Sequence, residues 1–184
     1  MEKNIIMAGF GGQGVMLMGK LLSYAASDST NLNVTFFPSY GAEQRGGTAN
    51  CYVVLSDEMV GSPMPGLSDD LIVLNQPSLD KFASHLKTGG TLFINSSIVK
   101  RLPERSDINV VAAPVTELSI EMGSEKVLNV IMLGVYIGYT GIIPDDIMLS
   151  TVLQKLGKKE SMIAINKAAF LKGLEIGKAA AQKQ

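Results

Sequence analysis

Lys3-Asn4-Ile5-Ile6-Met7-Ala8-Gly9-Phe10-Gly11-Gly12-Gln13-Gly14 is the stretch whose reading decides the fold. Ile5 to Ala8 is a short apolar run of the kind that forms a buried strand, and glycines at 9, 11, 12 and 14 mark a tight turn. From Val15 to Ala26 the apolar residues recur with helical spacing. Leu17, Leu21, Leu22 and Ala25 give that helix its expected buried stripe. A strand, a glycine turn and a helix in succession point backbone N–H groups and a helix N-terminus at one spot, a layout that suits a bound anion.

Working outward, Asn33 to Phe37 is β-branched and aromatic and predicts a strand, which Pro38 should end. Thr48 to Leu55 predicts another, too close behind for a helical crossover, so these two should pair antiparallel. Gly61 to Gly66 is a surface loop dense in breakers. Asp70–Leu74, Thr91–Asn95 and Asn109–Ala113 predict further strands. A helix from Pro77 to Leu86, capped by Gly89-Gly90, separates the first two. Thr116 is the expected N-cap of a short helix ending at Met122. Lys126 to Tyr139 is apolar on nearly every face. It is shorter than the ~20 residues a bilayer requires, so a core helix is expected and no membrane span. Gly134 and Gly138 should let another backbone approach it, and part of it is expected to form a subunit surface. Helices starting at Pro144 and Ser161 complete the chain. This alternation predicts one domain over 1–184, a three-layer α/β/α fold. Its sheet should be Rossmann-like and mostly parallel, with one antiparallel strand pair.

Composition narrows the function. A formal net charge of −1 argues against a nucleic-acid partner. The first strand begins within a few residues of Met1, leaving no signal peptide, so a cytoplasmic location is expected. Ten methionines without tryptophan suit an adaptable interior or a surface meant for partners. The lone Cys51, expected in the core, excludes a disulfide framework and a cluster or zinc site held by this chain alone. The single His85 is assigned no role. Lys167, Lys172 and Lys178 should form a solvated face.

Gly9, Gly11 and Gly14 fit the G-x-G-x-x-G dinucleotide pattern. The acidic side chain that should grip a ribose at the end of the second strand is missing, because that strand closes in Phe36-Phe37-Pro38. A freestanding NAD- or FAD-binding protein therefore stays an alternative, as does a regulatory binding module. The plainest reading is that the glycines only permit close strand–helix packing.

A second polar, glycine-rich segment, Tyr40-Gly41-Ala42-Glu43-Gln44-Arg45-Gly46-Gly47, follows the second strand. With Gly11-Gly12-Gln13-Gly14 it resembles the gamma subunit of 2-oxoacid:ferredoxin oxidoreductases, a unit also found as a domain of single-chain pyruvate:ferredoxin oxidoreductases. The likeness extends over essentially the whole chain, including Asn129 and Leu133-Gly134. It implies a non-catalytic subunit of a complex that converts a 2-oxoacid and coenzyme A to acyl-CoA and carbon dioxide. Thiamine diphosphate with magnesium would sit in alpha and beta subunits, iron–sulfur clusters in beta or a delta subunit, and ferredoxin would accept the electrons. This chain would bind none of these cofactors by itself. Tyr40, Gln44-Arg45 and Gly46-Gly47-Thr48 look more like the 2-oxoglutarate branch than the pyruvate one, whereas Gly61-Ser62-Pro63 departs from the form of many relatives.

The resulting candidates, for an anion, coenzyme A or a neighbouring subunit, are Gly11, Gly12, Gln13, Gly14, Tyr40, Glu43, Arg45, Gly46 and Gly47. The glycines allow close backbone approach. Gln13 offers a donor and an acceptor at the tip of the turn. The planar fork of Arg45 suits phosphate or carboxylate, with Glu43 either holding it or forming a local salt bridge with it. Tyr40 is an interface or loop-packing residue.

Overall fold

The computed structural model describes residues 1–40 and 47–183. In chain order, β1 (Glu2–Phe10) leads through α1 (Val15–Ser29) to β2 (Asn33–Tyr40), β3 (Thr48–Ser56) and β4 (Ser68–Val73). Next come α2 (Gln76–Phe82), a 3-10 turn at Ala83–His85, β5 (Leu86–Asn95) and β6 (Asn109–Ala113). The rest is helical: α3 (Val115–Glu121), a 3-10 turn at Glu125–Val127, α4 (Leu128–Thr140), α5 (Asp145–Leu156) and α6 (Glu160–Ala181). The strands form one sheet in the order β2-β3-β1-β4-β5-β6. β1, β4, β5 and β6 run parallel, while β3 is antiparallel to both neighbours, β2 and β1.

Alternating side chains send the sheet's two faces into two cores, as the period of a strand dictates. Ile5, Met7, Val53, Ile72 and Phe93 meet the layer of α1 and α3 to α6, and Ile6, Ala8, Leu71, Leu92 and Ile94 meet Leu79 and Phe82 of α2. The expected three layers are present.

α4 is buried at every position from Leu128 to Ile137. It seats on the sheet through Tyr136, whose ring meets Phe93 edge-on at 5.1 Å, and α6 covers its other side. Gly134 and Gly138 do admit another backbone, that of α6: a methyl group on either would collide with the carbonyl oxygen of Phe170 or Leu174. Gly173 and Gly177 of α6 return the arrangement, lying against the carbonyls of Ile131 and Val135. Leu128 to Ile137 are covered within the chain and offer no subunit surface; of α4 only its last turn, Gly138 to Thr140, is half-buried and reaches the surface.

Four local readings change. Pro38 lies inside β2 and does not end it; β2 is the outermost strand, where a missing N–H costs the ladder least. Leu17 is exposed and Met18 takes its place, because the buried face of α1 follows Val15, Met18, Leu22 and Ala25. Gly89-Gly90 belong to β5 instead of capping a helix. The β4–β5 register shifts between Ser68 and Asp70, and the positive φ of Gly89 (76°) falls in the matching part of β5. Thr116 lies within the first turn of α3, with Pro114 at the cap, and its hydroxyl accepts from Asn95 Nδ2 at 2.8 Å.

Beneath α4, one oxygen of the buried Asp70 accepts from Tyr136 Oη at 2.8 Å and pairs with Lys3 Nζ at 3.0 Å. Its other oxygen has no partner among the described residues. Burial outweighs Lys3 and raises the Asp70 pKa above 3.8. The folded state then holds this proton more tightly than the unfolded chain. The stability it contributes is present at low pH and lost as pH rises through the folded value. We expect Asp70→Asn to gain stability relative to the parent as pH climbs from about 4 towards neutrality; urea midpoints across that range check it, and a constant difference would contradict it. Gly173→Ala should cost about 3 kcal/mol through forced separation of α4 and α6, against little change for alanine at the open Gly66.

Candidate functional site

The parallel strands β1, β4 and β5 end along one edge, and the glycine turn closes the first of them. Such an edge is where ligands meet open α/β sheets. Gly12 (φ 100°) and Gly14 (φ 76°) occupy the left-handed region that only glycine enters freely. Gly11 and Gly12 are exposed at the tip. A side chain at Gly14 would strike Asn129 in the first turn of α4, whose Nδ2 donates to the Gly14 carbonyl at 3.3 Å.

Gln13 does not stand at the tip offering its amide outward. Its Oε1 accepts from the Phe10 N–H at 2.7 Å and from Asn75 Nδ2 at 2.9 Å, and its Nε2 donates to the Leu74 carbonyl at 3.3 Å. The amide is spent on the turn itself, pinning it to the end of β4. Asn75 in turn caps α2, accepting from the Ser78 N–H at 2.9 Å. Buried Asn95, at the end of β5, donates to the same Leu74 carbonyl at 3.3 Å and to Thr116 at 2.8 Å. A line of amides, Gln13, Asn75 and Asn95, thus ties together the carboxyl ends of three adjacent strands. Asn75 and Asn95 were not among the candidates. Their signal is an asparagine directly after each apolar strand, Leu71-Ile72-Val73-Leu74-Asn75 and Leu92-Phe93-Ile94-Asn95.

The two glycine-rich segments meet. The Gly11 N–H donates to the Gly47 carbonyl at 2.9 Å, joining the turn to the start of β3. Gly47 is buried there, and Tyr40, at the end of β2, is 71% exposed, open to a partner molecule. Glu43, Arg45 and Gly46 lie outside the described residues.

Topology also accounts for the missing ribose acid. In a dinucleotide fold the strand beside β1 is parallel to it and ends at this edge with the acidic residue. Here that place belongs to β3, which runs the other way and presents its beginning, Gly47-Thr48. The glycine pattern is present without the neighbour that would complete a dinucleotide site.

Cys51 is fully buried, and burial pushes its thiol up to about 12, so it is neither a thiolate nucleophile nor a ready metal ligand. Among the described residues no group of three His, Cys, Asp or Glu side chains is placed to hold a metal ion. No described helix is long and apolar enough to cross a membrane. Lys167 and Lys178 are exposed as expected; Lys178 pairs with Asp145, and Lys172 with Glu175 at 3.3 Å.

Comparison with known proteins places this geometry. Residues 4–176 match the family model described as pyruvate ferredoxin/flavodoxin oxidoreductase. Ketoisovalerate oxidoreductase subunit VorA of Methanothermobacter marburgensis is 37% identical across 96% of this chain, which spans only 36% of that relative's length. 2-Oxoglutarate synthase subunit KorC of Methanocaldococcus jannaschii is 34% identical, over 97% of this chain and 95% of its own. Among solved structures, the gamma subunit of a keto/oxoacid ferredoxin oxidoreductase from Geobacter sulfurreducens superposes with a TM-score of 0.87. It is 30% identical, with 98% of both chains covered.

If the amide line holds the turn, Gln13→Ala and Asn75→Ala should each destabilise the chain by about 1–2 kcal/mol. Their effects should couple by about 1 kcal/mol in a double-mutant cycle. Additive losses measured by urea unfolding would show that the two amides act separately.

Proposed function

We propose a function from one premise: the chain belongs to the pyruvate ferredoxin/flavodoxin oxidoreductase family. On that premise it acts as a gamma-type subunit, one domain throughout, of a 2-oxoacid:ferredoxin oxidoreductase. That complex oxidatively decarboxylates a 2-oxoacid, joins the acyl group to coenzyme A and passes two electrons to ferredoxin through iron–sulfur clusters. The observation carrying the reading is the correspondence with the KorC subunit, over 97% of this chain and 95% of that one.

The residues of this chain do not fit an iron–sulfur cluster held by the chain alone. Its lone thiol is buried and protonated, far from the thiolate set that a cluster takes. The family reading assigns thiamine diphosphate, magnesium and the clusters to alpha, beta and delta partners, and the assembly to the cytoplasm. What this chain contributes is a shaped surface. The glycine turn, rigidified by Gln13, meets the 40–47 segment at the Gly11–Gly47 hydrogen bond. That surface faces the thiamine-bearing subunits and borders the approach of coenzyme A, with Arg45 as the partner for its phosphates and Glu43 orienting the fork.

The substrate is 2-oxoglutarate on the similarity to KorC, and a branched 2-oxoacid is the second reading, favoured by the likeness to VorA. A reconstituted complex assayed for ferredoxin reduction with 2-oxoglutarate, 2-ketoisovalerate and pyruvate separates these. Preference for pyruvate would defeat both. In the same complex, Arg45→Ala should raise the KM for coenzyme A about tenfold or more. Arg45→Lys should recover only part of the loss, since it restores charge without the fork. An unchanged KM and kcat with intact assembly would remove Arg45 from the site.

A further inference from the structure

The two edges of the sheet are not alike. β2, at one edge, carries Pro38, a residue that blunts an edge by removing a donor. β6, at the other, reads Asn109-Val110-Val111-Ala112-Ala113, with neither a charge nor a proline. Val110 is 41% exposed. An uncharged edge of this kind is an invitation to another strand unless something covers it.

Beside that edge lies an open groove of about 510 Å³ between β6 and the C-terminal half of α6. Its strand wall is Val110, Val111 and Ala112, its helix wall is centred on Ile176, Ala179 and Ala180, and Tyr139 of α4 also lines it. Glu175 stands at one end of the helix wall and Lys183 at the other. Glu175 forms an exposed ion pair with Lys172, of the sort that contributes little.

We propose that this edge is an isologous interface for a second copy of the same chain, β6 pairing antiparallel with β6 about a twofold axis. The inference is independent of the oxidoreductase reading. With the axis through Val111, each Val110 falls opposite Ala112 of the other copy, large against small, and Asn109 falls opposite Ala113. A twofold axis perpendicular to the sheet keeps both helix layers on one side, so the two α6 helices close over the groove side by side and antiparallel. The middle of the helix wall is Ala179, and Glu175 and Lys183 lie four residues to either side of it. In the proposed dimer the same axis passes beside Ala179, which sets Glu175 of each copy against Lys183 of the other, twice over. Strand register and helix charge are self-complementary about one centre, which a foreign strand would have no reason to match.

Sedimentation equilibrium on the full chain tests this. The expected result is a mass twice that of the chain. Glu175→Lys and Lys183→Glu should each weaken the dimer about tenfold or more, because each creates two like-charge pairs. The double reversal should restore it while circular dichroism stays constant throughout. Hydrogen exchange on the unmodified chain gives a second reading: those amides of residues 110–112 that face away from β5 should gain protection as concentration rises through the transition. A monomer at every concentration, including one whose β6 instead binds a different protein, overturns the proposal. So does a dimer indifferent to the single reversals, not rescued by the double, or without protection at β6.

Discussion

The contact on which the rest of the structure depends is backbone against backbone, between α4 and α6. A helix as apolar as Leu128 to Ile137 must be hidden from water on all sides, and the sheet hides only one. Gly134 and Gly138 on one helix and Gly173 and Gly177 on the other remove the side chains that would hold the axes apart. The depth of α4 then reaches the site, because Asn129 in its first turn fills the space that a Gly14 side chain would need and binds that residue's carbonyl. Core packing on one side of the molecule thus sets the geometry of the turn at its edge.

Much of this fold is legible in the chain. Short apolar runs became strands and the long apolar run became the central helix, because burial is what those compositions require. The misreadings share a cause: each relied on local chemistry where a distant partner decides. Pro38 ends a strand only if the strand is internal, and β2 is not. Gly89-Gly90 look like a helix cap until the register shift opposite Ser68 and Asp70 shows them to be part of an irregular strand. Thr116 has capping chemistry, but Asn95 takes its hydroxyl.

The site was half legible. Glycines announce a tight turn by themselves, since their conformational freedom is a property of the residue. The direction of an amide is not. Gln13 turns inward because Leu74 and Asn75 arrive beside it through the parallel pairing of β1 with β4, a long-range event with no local signature. The insertion of a reversed β3 beside β1 is equally silent, yet it explains why a near-perfect dinucleotide pattern lacks its acidic partner.

That insertion bears on how the chain reaches its native state. β1 precedes both of its neighbours in the chain but is an inner strand of the finished sheet, flanked by β3 and β4. Neither neighbour exists until the chain has been made to Ser56 and then to Val73. The β2–β3 hairpin can form from adjacent residues, whereas β1 must wait for ladders closed over long loops, the slow kind. β1 is thus made before either neighbour it pairs with, and in the interval its buried Ile5-Ile6-Met7 run has no ladder to shield it.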